Sequence, residues 1–158
     1  MGERKEVMSH SDLTFSDLDE DDLLECAGLL AESFKQPPWN EAWKIEDAFE
    51  RLLDFFVSPK AVAIKVVHQD KIIGFLMGNV EIGCDNNYFY LKEICVCRDQ
   101  QRNKVGSSLM KYLEHKLQEM KISRLYLMTQ RDSIPERFYT SLGYMINHDM
   151  ILMRKDLS

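Results

Sequence analysis

The sequence predicts an α+β domain built on a mixed, mostly antiparallel sheet, and three observations predict it. Three runs rich in β-branched and aromatic residues, 61–67, 72–82 and 88–97, are separated only by His68-Gln69-Asp70-Lys71 and by the turn-rich Gly83-Cys84-Asp85-Asn86-Asn87. That is the order of an antiparallel meander. Val105, Leu109, Leu113, Leu117 and Met120 then recur at helical spacing, and residues 125–129 read as another strand. Strand, helix and strand in succession make a crossover, so 125–129 is expected to run parallel to 88–97.

The remaining elements follow in order. Residues 1–11 are polar and read as a flexible end. Residues 13–16 fit a short first strand. Asp19, Glu20, Asp21 and Asp22 favour a helix start through the dipole, and Leu23, Ala27, Leu30 and Phe34 mark one face of that helix. Pro37-Pro38 stops it, and Asn40 is placed to cap the next helix, striped by Ile45, Phe49, Leu52 and Phe56. After the central helix, 106–120, comes the strand 125–129 and a short helix, 134–142, with Gly143 suited to its C-terminal cap. Residues 144–146 and 150–154 read as strands that close the sheet. No linker, repeat or low-complexity tract interrupts residues 1–158, so a single domain is expected.

Composition narrows the classes. The chain has 158 residues, enough for one core, and is 45% hydrophobic, too apolar for disorder. No apolar run reaches membrane-spanning length, the charged Met1-Gly2-Glu3-Arg4-Lys5-Glu6 does not suit a signal peptide, and Glu6 stands where a myristoylation signal needs Ser or Thr. A cytoplasmic protein without a membrane partner is expected. A net charge of −6 argues against a nucleic-acid binder. Cys26, Cys84, Cys95 and Cys97 have no metal-ligand spacing and read as reduced thiols, and His10, His68, His115 and His148 are scattered; no metal is expected.

The polar stretch between the third run and the central helix is the most telling. It reads Cys97-Arg98-Asp99-Gln100-Gln101-Arg102-Asn103-Lys104-Val105-Gly106-Ser107 and joins a strand to a helix N-terminus. The first N–H groups of a helix have no internal partners, and the dipole there favours anions. Gly106 lets a ligand approach the backbone, and Arg102 and Lys104 add positive charge, so the turn suggests a phosphate cradle. Neither GxxxxGK[ST] nor GxGxxG is present. The stretch resembles the pyrophosphate loop of the GNAT (Gcn5-related) N-acetyltransferases, [QR]-x-x-G-x-[GA]: Gln101 and Gly106 match, while Lys104 stands at the usual first glycine. A second segment, Arg137-Phe138-Tyr139-Thr140-Ser141-Leu142-Gly143-Tyr144, resembles the family's FYxxxGF, with Tyr144 for Phe. The order of elements is also that of the family.

The resemblance implies a three-layer α/β/α GNAT fold with a central splay in the sheet, acetyl-CoA as acyl donor and a primary amine as acceptor. Pantetheine would pair with the main chain of Ile94, Cys95 and Val96. The turn of Gln101, Arg102, Asn103, Lys104, Val105, Gly106 and Ser107 would take the pyrophosphate. A lysine-type ammonium, with an ordinary pKa of about 10.4, is only about one-thousandth neutral at pH 7, so a proton acceptor is needed. Glu93, on the strand carrying the thioester, is the candidate base and Glu81 the reserve; the competing reading of Glu93 is a surface carboxylate or an ion pair with Lys92 or Lys71. Tyr139 matches the family's acid for the leaving thiolate, against a packed helix aromatic. A nucleophilic Cys95 lacks a histidine nearby in sequence.

Pro37-Pro38-Trp39-Asn40-Glu41-Ala42-Trp43 occupies the region that borders the acceptor in GNAT proteins and looks similar to small bacterial aminoglycoside 6′-N-acetyltransferase-like members. Trp39 and Glu81, with Glu41 and Asp85, are the acceptor-side candidates; a hydrophobic plug is the other reading of the tryptophans. A small cationic amine (aminoglycoside-like or polyamine-like) is the first expectation. A lysine or N-terminal amine on a protein, and a non-catalytic acyl-CoA-binding module, are the alternatives. Homodimers are common in this fold.

Overall fold

The computed structural model describes residues 12–100 and 104–158. The expectations placed on residues 1–11 and on Gln101, Arg102 and Asn103 lie outside the described residues. Two units are distinguished, one ending at Met128 and the other spanning Thr129–Ser158.

The first unit contains, in order, β1 (Thr14–Asp17), a 3-10 turn (Glu20–Asp22), α1 (Leu23–Phe34), α2 (Ile45–Phe56), β2 (Ala61–His68), β3 (Lys71–Ile82), β4 (Asn87–Val96), a second 3-10 turn (Arg98–Gln100), α3 (Val105–Glu119) and β5 (Arg124–Leu127). The sheet order is β1-β2-β3-β4-β5. Its first three ladders are antiparallel and β4–β5 is parallel, the meander and crossover the sequence predicts.

Alternation along β3 sorts the sheet into two faces. Phe75 and Met77 point to one face and pack with Cys95 against Leu23, Cys26, Ala27 and Leu30 of α1 and Ala48 and Leu52 of α2. Leu76 and Val80, on the other face, are also buried, as are Leu109, Met110 and Leu113 of α3, which contacts β2, β3 and β4. This gives three layers of an α+β fold.

The acidic cluster makes the 3-10 turn that enters α1. The Asp22 carboxylate accepts from the Asp19 N–H (2.8 Å) and from Lys65 Nζ (2.6 Å). Asn40 does not cap α2: it sits in left-handed geometry with φ of 50°, and the helix starts at Ile45 after Lys44. Its own N–H instead closes a turn onto the Gln36 carbonyl (3.1 Å).

The second unit holds α4 (Ile134–Ser141). Ser133 Oγ caps it by accepting from the Glu136 N–H (3.2 Å), Pro135 sits in its first turn, and Gly143 follows its end with φ of +92°. The expected closing strands at 144–146 and 150–154 do not form, and among the described residues the sheet ends at β5. Their apolar side chains supply strand propensity, but a strand exists only where its main chain meets a ladder partner, which composition alone does not specify.

Candidate functional site

Pairing stops where the candidate site begins. β4 and β5 pair only over Tyr88↔Arg124, Phe89↔Leu125, Tyr90↔Tyr126 and Leu91↔Leu127. β4 continues to Val96, and its later residues ladder with β3. The Cys97 N–H donates to the Ile73 carbonyl (2.7 Å). By the alternation of an antiparallel pair, the main-chain groups of Ile94 and Val96 then point away from β3, on the side where β4 and β5 fork. Cys95 points its side chain into the core and is 1% exposed. Burial, followed by the nearby Glu93 carboxylate, raises its thiol pKa well above normal, so it is a neutral core residue rather than a nucleophile.

A bulge in β4 decides which side chains line this fork. Glu93 pairs with Met77 and Leu91 with Gly78, so Lys92 is an extra residue. Residues 90 and 93 of a regular strand would face opposite ways. The extra residue puts Tyr90 and Glu93 on the same face, the one shared with α1 and α2. Gly78 permits the arrangement: a Cβ there would lie 2.2 Å from the Tyr90 carbonyl oxygen and 2.5 Å from Phe89 Cζ.

Glu93 is 6% exposed, not a surface carboxylate, and its ionic partner is neither Lys92 nor Lys71. Arg51, from α2, donates through Nε to Glu93 Oε2 at 3.0 Å. The guanidinium lies over the rings of Phe55 (4.7 Å) and Trp43 (5.6 Å). Burial raises the Glu93 pKa, Arg51 pulls it back, and the Glu41 charge adds to the rise. The result is a carboxylate more basic than an ordinary glutamate, with a cation beside it.

Beside Glu93 on the same sheet face, Tyr90 and Tyr126 stack at 4.8 Å between centroids and 5° between planes. The Tyr126 hydroxyl donates to Glu81. Partial desolvation, followed by that carboxylate, pushes the Tyr126 phenol up to about 12, so it remains a donor at neutral pH. Asn79, paired with Tyr90, keeps a buried Oδ1 without a hydrogen-bond partner. Trp39 packs on Phe34 (5.4 Å), as does Trp43 (6.3 Å), and Trp43 Nε1 donates to Glu41 (2.9 Å). Glu81 and Glu93 thus share a face, while Trp39 belongs to an aromatic cluster around Phe34.

At the other end of the fork, α3 begins at Val105. Lys104 is its N-cap, with φ of 59° and ψ of 20°, the left-handed geometry for which the family's glycine is suited. For lysine that geometry costs about 1–2 kcal/mol. Its carbonyl accepts from the Ser108 N–H (3.0 Å). Val105, Gly106 and Ser107 form the first turn, where N–H groups lack partners within the helix.

In the second unit, Tyr139 is 8% exposed. Its ring meets Phe138 (5.1 Å) and Tyr144 (5.8 Å) edge-on, and the Tyr144 N–H donates to the Tyr139 carbonyl (3.0 Å). Among the described residues no group of three or more His, Cys, Asp or Glu side chains is gathered to hold a metal.

The profile of the Acetyltransferase (GNAT) family matches residues 25–144. The chain belongs to the GNAT acetyltransferase family. It is therefore an N-acetyltransferase, from a family that uses acetyl-CoA as donor. No curated protein sequence matches it. Among solved structures, a possible acetyltransferase from Clostridium difficile 630 superposes with a TM-score of 0.79 at 15% identity, over 92% of this chain and 98% of that one. The aminoglycoside acetyltransferase meta-AAC0020 from an uncultured soil metagenomic sample, in complex with sisomicin, gives 0.75 at 18% identity, over 94% and 98%. A ribosomal-protein-alanine N-acetyltransferase from Brucella melitensis biovar Abortus 2308 gives 0.70 at 18%, over 91% and 99%. At these identities the likeness is one of fold.

For this GNAT protein, sequence reasoning missed Arg51, Tyr90, Tyr126 and Gly78. Arg51 lies 42 positions from its partner, beyond any local pattern. Gly78 was the available signal, because an isolated glycine inside a strand pattern marks a bulge or a close backbone approach.

Proposed function

We propose that this GNAT protein transfers the acetyl group of acetyl-CoA to a primary amine of a small cationic acceptor, aminoglycoside-like or polyamine-like. The observation that carries this reading is the sheet face beside the fork, where Glu81, Glu93 and the stacked Tyr90–Tyr126 pair converge, with Glu41 near enough to act on Glu93. Carboxylates and aromatic faces together suit an ammonium ion. A compact polycation satisfies several of them at once.

Acetyl-CoA supplies an activated acyl group as its thioester. The stretch Ile94, Cys95 and Val96 binds the pantetheine arm along the fork through the main chain of Ile94 and Val96, that of Cys95 being turned to β3, and the segment from Gln101 through Arg102, Asn103, Lys104, Val105 and Gly106 to Ser107 binds the pyrophosphate at the N-terminus of α3. Glu93 accepts the proton that the acceptor ammonium must lose, directly or through water. Arg51 offsets part of the rise in pKa that burial imposes on that carboxylate. Tyr139 is the acid that returns a proton to the departing thiolate, the role its match to the family implies. Trp39 and Glu81 border the acceptor. The mechanism invokes no metal, and the reading makes the protein a cytoplasmic enzyme.

A panel of amines tested with acetyl-CoA, with thiol release read colorimetrically, checks the acceptor class. The expected ranking puts an aminoglycoside or spermidine above free lysine, and free lysine above peptides. A preference for a protein N-terminus or peptide lysine replaces the small-amine reading, and turnover with none of them overturns it.

A further inference from the structure

The two carboxylates on the acceptor face do not stand side by side. Met77, Asn79 and Glu81 alternate onto one face of β3, the face that packs on α1 and α2 at Met77. Cross-strand pairing sets out three rows there. Met77 pairs with Glu93, Asn79 with Tyr90 and through it with Tyr126, and Glu81 with Tyr88 and through it with Arg124. The rows of Glu93 and Glu81 are four β3 positions apart, about 13 Å along the strand. The row of Asn79 and the tyrosine pair lies midway.

Each row has something to offer a cation. Glu93 is the buried carboxylate held by Arg51. Glu81 is half-buried and accepts the Tyr126 hydroxyl, which leaves further lone pairs on its oxygens. Arg124, in the same row, is held over the Tyr88 ring at 5.4 Å and forms no ion pair with Glu81. In the middle row, Tyr90 gives one ring face to Tyr126 and stands between it and Asn79. Asn79 is half-buried, and its Oδ1 is closed off without a hydrogen-bond partner among the described residues. That oxygen makes no bond that would be lost if the amide turned over to present it on the face. An ammonium in the middle row would donate to it and lie beside an aromatic ring.

We infer that the acceptor is a linear triamine, lying extended along β3 and β4. Its reacting terminal amine stands at Glu93, its middle ammonium at Asn79 and Tyr90, and its far ammonium at Glu81. The inference rests on the small-cation reading and narrows it, because rows in line along a strand fit a chain better than a compact ring system. An extended chain advances about 3.3–3.6 Å per three bonds, so nine bonds between the terminal nitrogens reach about 10–11 Å. Hydrogen-bond contacts at the two ends close the remainder. The terminal nitrogen gives a proton to Glu93 and bonds to the acetyl carbon, the thioester C–S bond breaks, and the sulfur leaves and is protonated.

The wild-type enzyme tests this with saturating acetyl-CoA and a series of α,ω-diamines, read by thiol release. Spermidine and 1,8-diaminooctane both have nine bonds between their terminal nitrogens, and only spermidine carries a middle one. The expected kcat/KM rises about tenfold from 1,4-diaminobutane to 1,8-diaminooctane, falls again at 1,12-diaminododecane, and is a few-fold higher for spermidine than for 1,8-diaminooctane. Mass spectrometry should place the acetyl group on a terminal nitrogen of spermidine. A series that does not depend on length, acetylation of the middle nitrogen, or an aminoglycoside used better than spermidine overturns the inference and leaves the small-cation reading standing. Turnover of no amine overturns both. Glu81→Gln should reduce the preference for 1,8-diaminooctane over octylamine about tenfold, and Asn79→Ala should remove the advantage of spermidine over 1,8-diaminooctane. Each is a ratio within one protein, so a partly unfolded preparation does not alter it, and unchanged ratios overturn the assignment of the rows.

Discussion

The two sides of β4 are built for different work. Toward β3 it is paired from Asn87 to Val96, interrupted only by the bulge at Lys92. Toward β5 it is paired over four residues and then released. The continuous side fixes side chains: Glu93 is buried, bonded to Arg51 and backed by Met77. The released side turns the main chain of Ile94 away from β3. One strand thus presents, within a few residues, a held carboxylate and the end of its pairing with β5, the two features on which the proposed acyl transfer draws.

The comparison can be broken most severely at Gly78. Gly78→Val places a side chain against the Tyr90 carbonyl and the Phe89 ring, so β4 must lose its bulge or shift. A loss of about 3 kcal/mol in urea unfolding is expected, with activity abolished in whatever remains folded. A wild-type midpoint would show that the bulge does not depend on the glycine.

Next in size are the two groups proposed to move protons. Glu93→Gln should lower kcat by roughly 10³-fold with little change in KM for acetyl-CoA, and Tyr139→Phe by roughly 10²-fold. Steady-state kinetics at saturating amine separates these from binding defects, and a wild-type kcat removes the corresponding assignment. Burial raises the folded pKa of Glu93. Its neutral form is therefore the one the fold prefers, and its contribution to stability is full below the unfolded pKa and lost as pH rises through the folded value. Glu93→Gln, neutral at every pH, should therefore not lower the Tm at pH 7 even as activity falls.

Arg51→Met sharpens the same side of the comparison. Removing the cation leaves burial unopposed, so the Glu93 pKa rises further and the acid limb of kcat/KM moves to higher pH. An unmoved limb would detach Arg51 from the titrating group. The smallest effect belongs to the open side. Lys104→Gly relieves left-handed geometry and should stabilise the protein by about 1 kcal/mol, read by urea unfolding. KM for acetyl-CoA should rise a few-fold as one positive charge leaves the loop.

The legible parts of the fold were those written as a period. Leu23, Ala27, Leu30 and Phe34 specify α1 without reference to anything else, and the tight spacing of 61–97 leaves an antiparallel meander as the simple outcome. Partnerships across the sheet were not legible. Asn40 has a capping side chain but the wrong backbone, and residues 150–154 have strand composition but are not assigned as strand. The identity of Glu93 as a candidate could be read from its strand. Its burial and its cation could not, because Arg51 reaches it only once α2 is laid on the sheet.

The extra residue at Lys92 has a wider meaning. Side-chain direction along a strand is a two-valued counter, and one inserted position advances it for everything downstream. Loss of the bulge with the sequence unchanged would set Lys92 opposite Met77 and Glu93 opposite Leu76, sending the acid to the opposite face of the sheet, although the length, charge and composition of β4 would not change at all. In this chain a one-residue slip inside a strand is thus a change of chemistry, and the glycine that tolerates the bulge lies on the neighbouring strand, outside any motif centred on the reacting groups.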